Sequence, residues 1–100
     1  MSEKLTLENI RNTVSEFGSL YGAERIYLFG SYARGDADGE SDVDLRIDRG
    51  SVKGFAMGGL LVDLEESLGR KVDLISTKCF RKEFLDAIHD EEILLYEHQG

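Results

Sequence analysis

The run Arg25-Ile26-Tyr27-Leu28-Phe29 leads into Gly30-Ser31-Tyr32-Ala33-Arg34-Gly35, and ten residues separate Ser31 from the first aspartate of Asp42-Val43-Asp44. The first stretch is rich in β-formers and predicts a strand over Arg25–Phe29. Gly30 lacks a Cβ, so the chain can turn sharply there and a ligand can come close to the backbone. Ser31 opens a brief predicted helix over Ser31–Arg34, where its hydroxyl and the free amides favour an anion such as phosphate. Gly35 to Ser41 reads as a polar, acidic loop. Asp42 to Asp48 then alternates, with Val43, Leu45 and Ile47 on one face and Asp42, Asp44, Arg46 and Asp48 on the other, the pattern of a half-buried strand.

Residues two apart on a strand point the same way, with Cβ atoms about 7 Å apart. At an effective dielectric of about 20, the carboxylates of Asp42 and Asp44 at that separation repel by roughly 2–3 kcal/mol. A bound cation turns that repulsion into attraction, and hard oxygen ligands of this kind select Mg²⁺ or Mn²⁺. Taken alone, Asp-x-Asp reads first as a solvated acidic edge, and Gly-Ser as an ordinary turn with a serine cap. The joint pattern is much rarer than either half. Asp73, opposite Val72 and Leu74 on a later predicted strand, is available to the same side of the sheet, although by itself it is equally an exposed strand acid. Two metals bridged by three carboxylates would neutralise a triphosphate, activate an attacking hydroxyl and stabilise departing pyrophosphate. Asp73 would share the metal that lowers the acceptor's pKa or serve as its general base.

Outward from this centre, Leu7, Ile10, Val14 and Phe17 recur at helical spacing after Thr6, a suitable N-cap, with Gly18 or Gly22 ending the element. Met57, Leu60, Leu61, Leu64 and Leu68 repeat in the same way before Gly69, although Gly58-Gly59 weakens the first turn of that helix. Lys71–Ser76 reads as a third strand, Phe80, Phe84, Leu85 and Ile88 as a last helix, and Ile93–Tyr96 as a final short strand. The order αβαβαβαβ predicts an α/β (α+β) domain, a small mixed sheet with helices mainly on one face.

One hundred residues with nine aromatics fit a single domain, 1–100, with one modest core and no separate acceptor-binding domain. The net charge of −8, from twenty acids against twelve Lys and Arg, disfavours a long nucleic-acid partner. It suits a basic protein partner, or simply keeps a small domain soluble. Cys79 is the only cysteine, which rules out an internal disulfide and argues against structural zinc. No signal peptide and no membrane-length apolar run is present, so the expected setting is a reducing cytoplasm.

Gly-Ser, ten residues, Asp-x-Asp and a later single aspartate resemble the signature of the polymerase-β-type nucleotidyltransferase superfamily. The fuller Gly30-Ser31-Tyr32-Ala33-Arg34-Gly35 with Ser41-Asp42-Val43-Asp44-Leu45 resembles the minimal nucleotidyltransferases, or MNT proteins, and the likeness covers nearly the whole chain. The resemblance implies an NTP held with two Mg²⁺, with Asp42 and Asp44 as metal ligands and Asp73 as the third catalytic and metal-binding carboxylate. Gly30 and Ser31 would hold phosphate, with Arg34 a further candidate. Many MNT proteins are antitoxins paired with a HEPN-type ribonuclease toxin, and members of that group transfer AMP from ATP to a toxin tyrosine. The expected activity is therefore protein adenylylation. The alternatives are an antitoxin that neutralises by binding alone and a transferase for a small-molecule hydroxyl.

Other residues carry weaker expectations. Arg46 pairs with Asp44 or Asp48 in preference to a phosphate, and Arg34 reaches a phosphate or caps local acids. Tyr32 packs. His89 and His98 have no companion histidine, and Cys79 is a small helix-start or core residue.

Overall fold

The computed structural model of this chain describes residues 5–99. Its elements are α1 (Leu7–Tyr21), β1 (Arg25–Phe29), α2 (Ser31–Arg34), β2 (Val43–Asp48), α3 (Ala56–Leu68), β3 (Val72–Ser76), a 3₁₀ turn (Thr77–Cys79), α4 (Lys82–Ile88) and β4 (Ile93–Glu97). The sheet runs β3-β2-β1-β4, with β1 antiparallel to β2 and β4 and with β2 parallel to β3. The parallel pair is joined through α3, because a tight turn cannot return a strand in the same direction. The result is the expected small mixed sheet in an α+β fold.

One face of the sheet is the core. Ile26, Leu28, Val43, Leu45 and Ile47 are fully buried there against Ile10 and Val14 of α1 and Leu60 and Leu64 of α3. Thr6 caps α1 as expected, accepting from the Asn9 amide at 3.1 Å, and Gly22 closes it in a left-handed conformation. The start of α3 also has a physical explanation. A side chain on Gly59 would come within 3.1 Å of the Tyr21 hydroxyl, which donates to Asp63 at 2.6 Å, so the glycine makes room for the α1–α3 crossing.

The opposite face carries Asp44, Arg46 and Asp48 beside an aromatic cluster. Leu28 points into the core, so Phe29 points away from it and meets Phe80 and Phe84 edge-on at centroid distances of 5.6 and 6.0 Å. Those rings draw α4 across this face. Arg46 has a main partner the sequence does not announce: its guanidinium grips Glu92 in a two-pronged pair at 2.6 and 2.8 Å, donates to Thr77 at 2.9 Å, and lies 4.0 Å over the Tyr27 ring. Asp48 is a secondary neighbour at 3.6 Å. The Arg46 and Glu92 side chains are only 11% and 8% exposed, so Glu92→Ala leaves a nearly buried cation short of its main partner. With Asp48 and Thr77 still present, the expected loss is about 2 kcal/mol, read from the urea midpoint.

Several boundaries differ from the sequence expectation. Strand β2 begins at Val43, because its pairing with β3 starts at Val43↔Val72 and leaves Asp42 just outside the ladder. Phe80 precedes the last helix in an extended conformation, and Cys79 ends the short 3₁₀ turn before it and is exposed, so of its two expected settings the core one is excluded. Among the described residues no helix is long and apolar enough to cross a membrane.

Candidate active site

The turn between β1 and α2 brings two of the sequence-selected residues into direct contact. Gly30 adopts φ 78° and ψ −155°, which an L side chain rarely reaches. A Cβ built on it would stand 2.2 Å from an Asp44 carboxylate oxygen. Gly30 is therefore both the pivot of the turn and the space that Asp44 occupies.

Asp44 is in register with Phe29 on one side and with Asp73 on the other. Adjacent strands lie about 4.8 Å apart, so in-register side chains on one face meet. Burial, followed by the charge of Asp73, a hydrogen bond shared with it and the charge of Asp42, lifts the Asp44 carboxyl from 3.8 to about 6. Arg34 pulls weakly in the other direction. The structure thus brings Asp44 and Asp73 together and keeps Asp42 within electrostatic reach at the strand entrance. Among the described residues, no group of three or more His, Cys, Asp or Glu side chains closes into a preformed metal cage. An acid cluster with uncompensated charge, built entirely of hard oxygen donors, fits a divalent cation such as Mg²⁺.

The raised Asp44 value makes a stability prediction with a definite sign. A carboxyl that binds its proton more tightly when folded stabilises the fold below its ordinary value near 3.8, and that contribution is lost as pH rises through about 6. In chelator-treated protein at neutral pH, Asp44→Asn should therefore stabilise the fold by about 1 kcal/mol, a figure reduced for solvent screening. Urea titrations should show this advantage vanishing as the pH falls from about 6 towards 3.8.

A cleft beside Asp44, about 430 Å³, is lined by Phe29, Gly30, Ser31, Arg34, Asp44, Phe84, Ile88 and Glu91 among others, and of the three acids Asp44 alone forms part of its wall. Ser31 and Arg34 thus share the space with Asp44. Arg34 is half exposed and pairs with Asp36 at 3.2 Å and Glu91 at 3.4 Å, so in this state it caps local acids. Glu91 also accepts the Gly30 amide at 2.8 Å. A larger cavity of about 740 Å³ opens against Leu5, Tyr32, Ala33, Arg70 and Ile93, and it contains none of Asp42, Asp44 and Asp73. The smaller cleft, with Asp44 in its wall, is the candidate site. Tyr32 packs against the core as expected, and both histidines are exposed. Reading the sequence missed Glu91, Glu92 and Phe84. The first two sit in an acidic turn with no periodicity to single them out, and Phe84 reads simply as helix core.

Comparison with known proteins places this geometry. The family described as polymerase beta, nucleotidyltransferase matches residues 8–100. The protein adenylyltransferase MntA of Thermococcus cleftensis is 35% identical over 79 residues, covering 71% of this chain and 77% of its own. A solved toxin–antitoxin structure with AMP-PNP superposes with a TM-score of 0.73 at 23% identity, over 89% of this chain and 74% of its own. A second, a tri-AMPylated Shewanella oneidensis HEPN toxin in complex with MNT antitoxin, gives 0.67 at 20% identity over 92% and 73%. At those identities the two structures speak for the fold alone. With the family's sequence pattern running through all but the first few residues, this chain belongs to the polymerase beta nucleotidyltransferases and is a nucleotide-transferring enzyme.

Proposed function

We propose that this chain is a single-domain, Mg²⁺-dependent protein adenylyltransferase that acts as an antitoxin in the cytoplasm, moving AMP from ATP onto a tyrosine hydroxyl of a HEPN-type ribonuclease toxin. The observation that carries the reading is the in-register pair Asp44 and Asp73 set against Gly30. The relative named protein adenylyltransferase and the toxin–antitoxin neighbours, one holding AMP-PNP and one an AMPylated HEPN toxin, support the donor and the partner type.

In this reading Asp42, Asp44 and Asp73 hold the Mg²⁺ ions, with Mn²⁺ a substitute. When bound, the metal neutralises the triphosphate and lowers the pKa of the acceptor hydroxyl. Gly30 leaves the space into which the phosphates and Asp44 both fit. Ser31 and Arg34 bind phosphate oxygens, and Arg34 exchanges its present carboxylate partners for them. The acceptor oxygen forms a bond to the α-phosphorus as the bond to pyrophosphate breaks, and Asp73 takes the proton the hydroxyl gives up. Basic surface on the toxin meets the net charge of −8 on this chain, which speeds and orients the encounter.

The test is ATP labelled either at the α- or at the γ-phosphate, incubated with Mg²⁺, this chain and its HEPN-type partner. Retention of the α-label alone on a partner tyrosine is the expected result. Label on neither protein, or the γ-label on the partner, would overturn the reading.

A further inference from the structure

Two N–H donors in the cleft, the Gly30 amide and the Arg34 guanidinium that the reading above gives to phosphate, are already occupied by a carboxylate of the chain itself. Glu91, in the turn between α4 and β4, accepts the Gly30 amide at 2.8 Å and lies 3.4 Å from an Arg34 guanidinium nitrogen. It lines the same cleft as Ser31 and Asp44. Its neighbour Glu92 is locked onto Arg46 through two hydrogen bonds, at 2.6 and 2.8 Å, with its side chain 8% exposed. The amides of both glutamates bond to the Ile88 carbonyl at 3.0 Å. The backbone of this turn is therefore fixed to the sheet by one glutamate, while the other extends a side chain, 23% exposed, into the cleft.

A carboxylate has no attraction for Asp44, which shares its cleft, and it competes with any anion for the same N–H groups. A triphosphate cannot reach the Gly30 amide while Glu91 holds it.

We propose that Glu91 is a built-in competitor of the nucleotide: it holds the Gly30 amide and Arg34 in the empty enzyme and swings out when the triphosphate arrives, thereby setting the affinity for ATP. This rests on the cleft being the nucleotide site. Glu91 is a positioning residue that acts through Gly30 and Arg34, and it takes no part in bond making. The two-point anchor of Glu92 allows the side chain to leave without unfolding the turn.

Glu91→Gln keeps an oxygen that can accept the amide but removes the charge, and Glu91→Ala removes the occupant. Calorimetric titration with AMP-PNP and Mg²⁺ should give both variants a Kd about tenfold lower than wild type, the worth of one charge-assisted hydrogen bond no longer displaced. The Gly30 amide proton, followed by NMR, should shift on AMP-PNP binding in wild type and should start closer to that bound position in Glu91→Gln. If Glu91 merely satisfies a backbone donor, Glu91→Gln binds the analogue as wild type does or more weakly, and the proposal is overturned even though the nucleotide site stands. Binding by neither wild type nor variants would remove the nucleotide reading and this inference with it. Glu91→Gln retains the acceptor, so the comparison survives if Glu91→Ala does not fold.

Discussion

The Asp42→Asn, Asp44→Asn double variant is expected to fold at least as stably as wild type and to transfer AMP at least about a thousandfold more slowly. Asparagine is nearly isosteric with aspartate, so packing on the polar face of β2 is preserved. It offers no anionic oxygen, so two of the three proposed metal ligands lose the charge that binds Mg²⁺. Stability and activity should move in opposite directions because the same cluster that repels itself in the empty protein, lifting Asp44 to about 6, is what a cation would use. Thermal unfolding and initial rates of α-label transfer, measured on the same preparations, test both halves. Transfer at the wild-type rate would remove these acids from the reaction. Full neutralisation of the toxin by an inactive double variant would instead make this chain a binder whose acidic surface suffices.

Gly30→Ala should damage the protein in two ways. The backbone at φ 78° and ψ −155° is a region that costs a side-chain-bearing residue about 1–3 kcal/mol. The added Cβ also meets the Asp44 carboxylate at 2.2 Å, so Asp44, the Gly30 turn or both must shift. We expect a total loss of about 3 kcal/mol and, because a shift of about 1 Å at a catalytic group costs about a hundredfold, at least that drop in transfer rate. Gly35→Ala is the control. Gly35 also has a positive φ, 86°, yet nothing lies within 4 Å of its would-be Cβ. That variant should lose about 1 kcal/mol of stability and keep its activity. Equal damage from the two substitutions would mean that backbone strain, and not the Asp44 contact, explains Gly30.

The main architecture was legible because its signals are short-range. The alternation of Val43, Leu45 and Ile47 set the core face of β2, the heptad-like leucines of α3 marked its buried stripe, and Gly30-Ser31 marked the turn. The acids were legible as a set only through their joint spacing. What local pattern cannot show is pairing across the chain. Arg46 does reach Asp48 on its own strand at 3.6 Å, but its main grip is on Glu92, forty-six residues away. Glu91 reaches Gly30 over sixty-one residues. Strand ends differ by one residue at Asp42, Lys71 and Glu97, where the regular ladder begins or ends.

The most direct measurement is a crystal structure of this chain with Mg²⁺ and a nonhydrolysable ATP analogue. The expected density places the triphosphate at Gly30, Ser31 and Arg34, with oxygens of Asp42, Asp44 and Asp73 coordinating metal beside it. An analogue seated instead in the larger cavity against Tyr32 and Arg70, with Asp73 far from any ion, would contradict the assignment of this site.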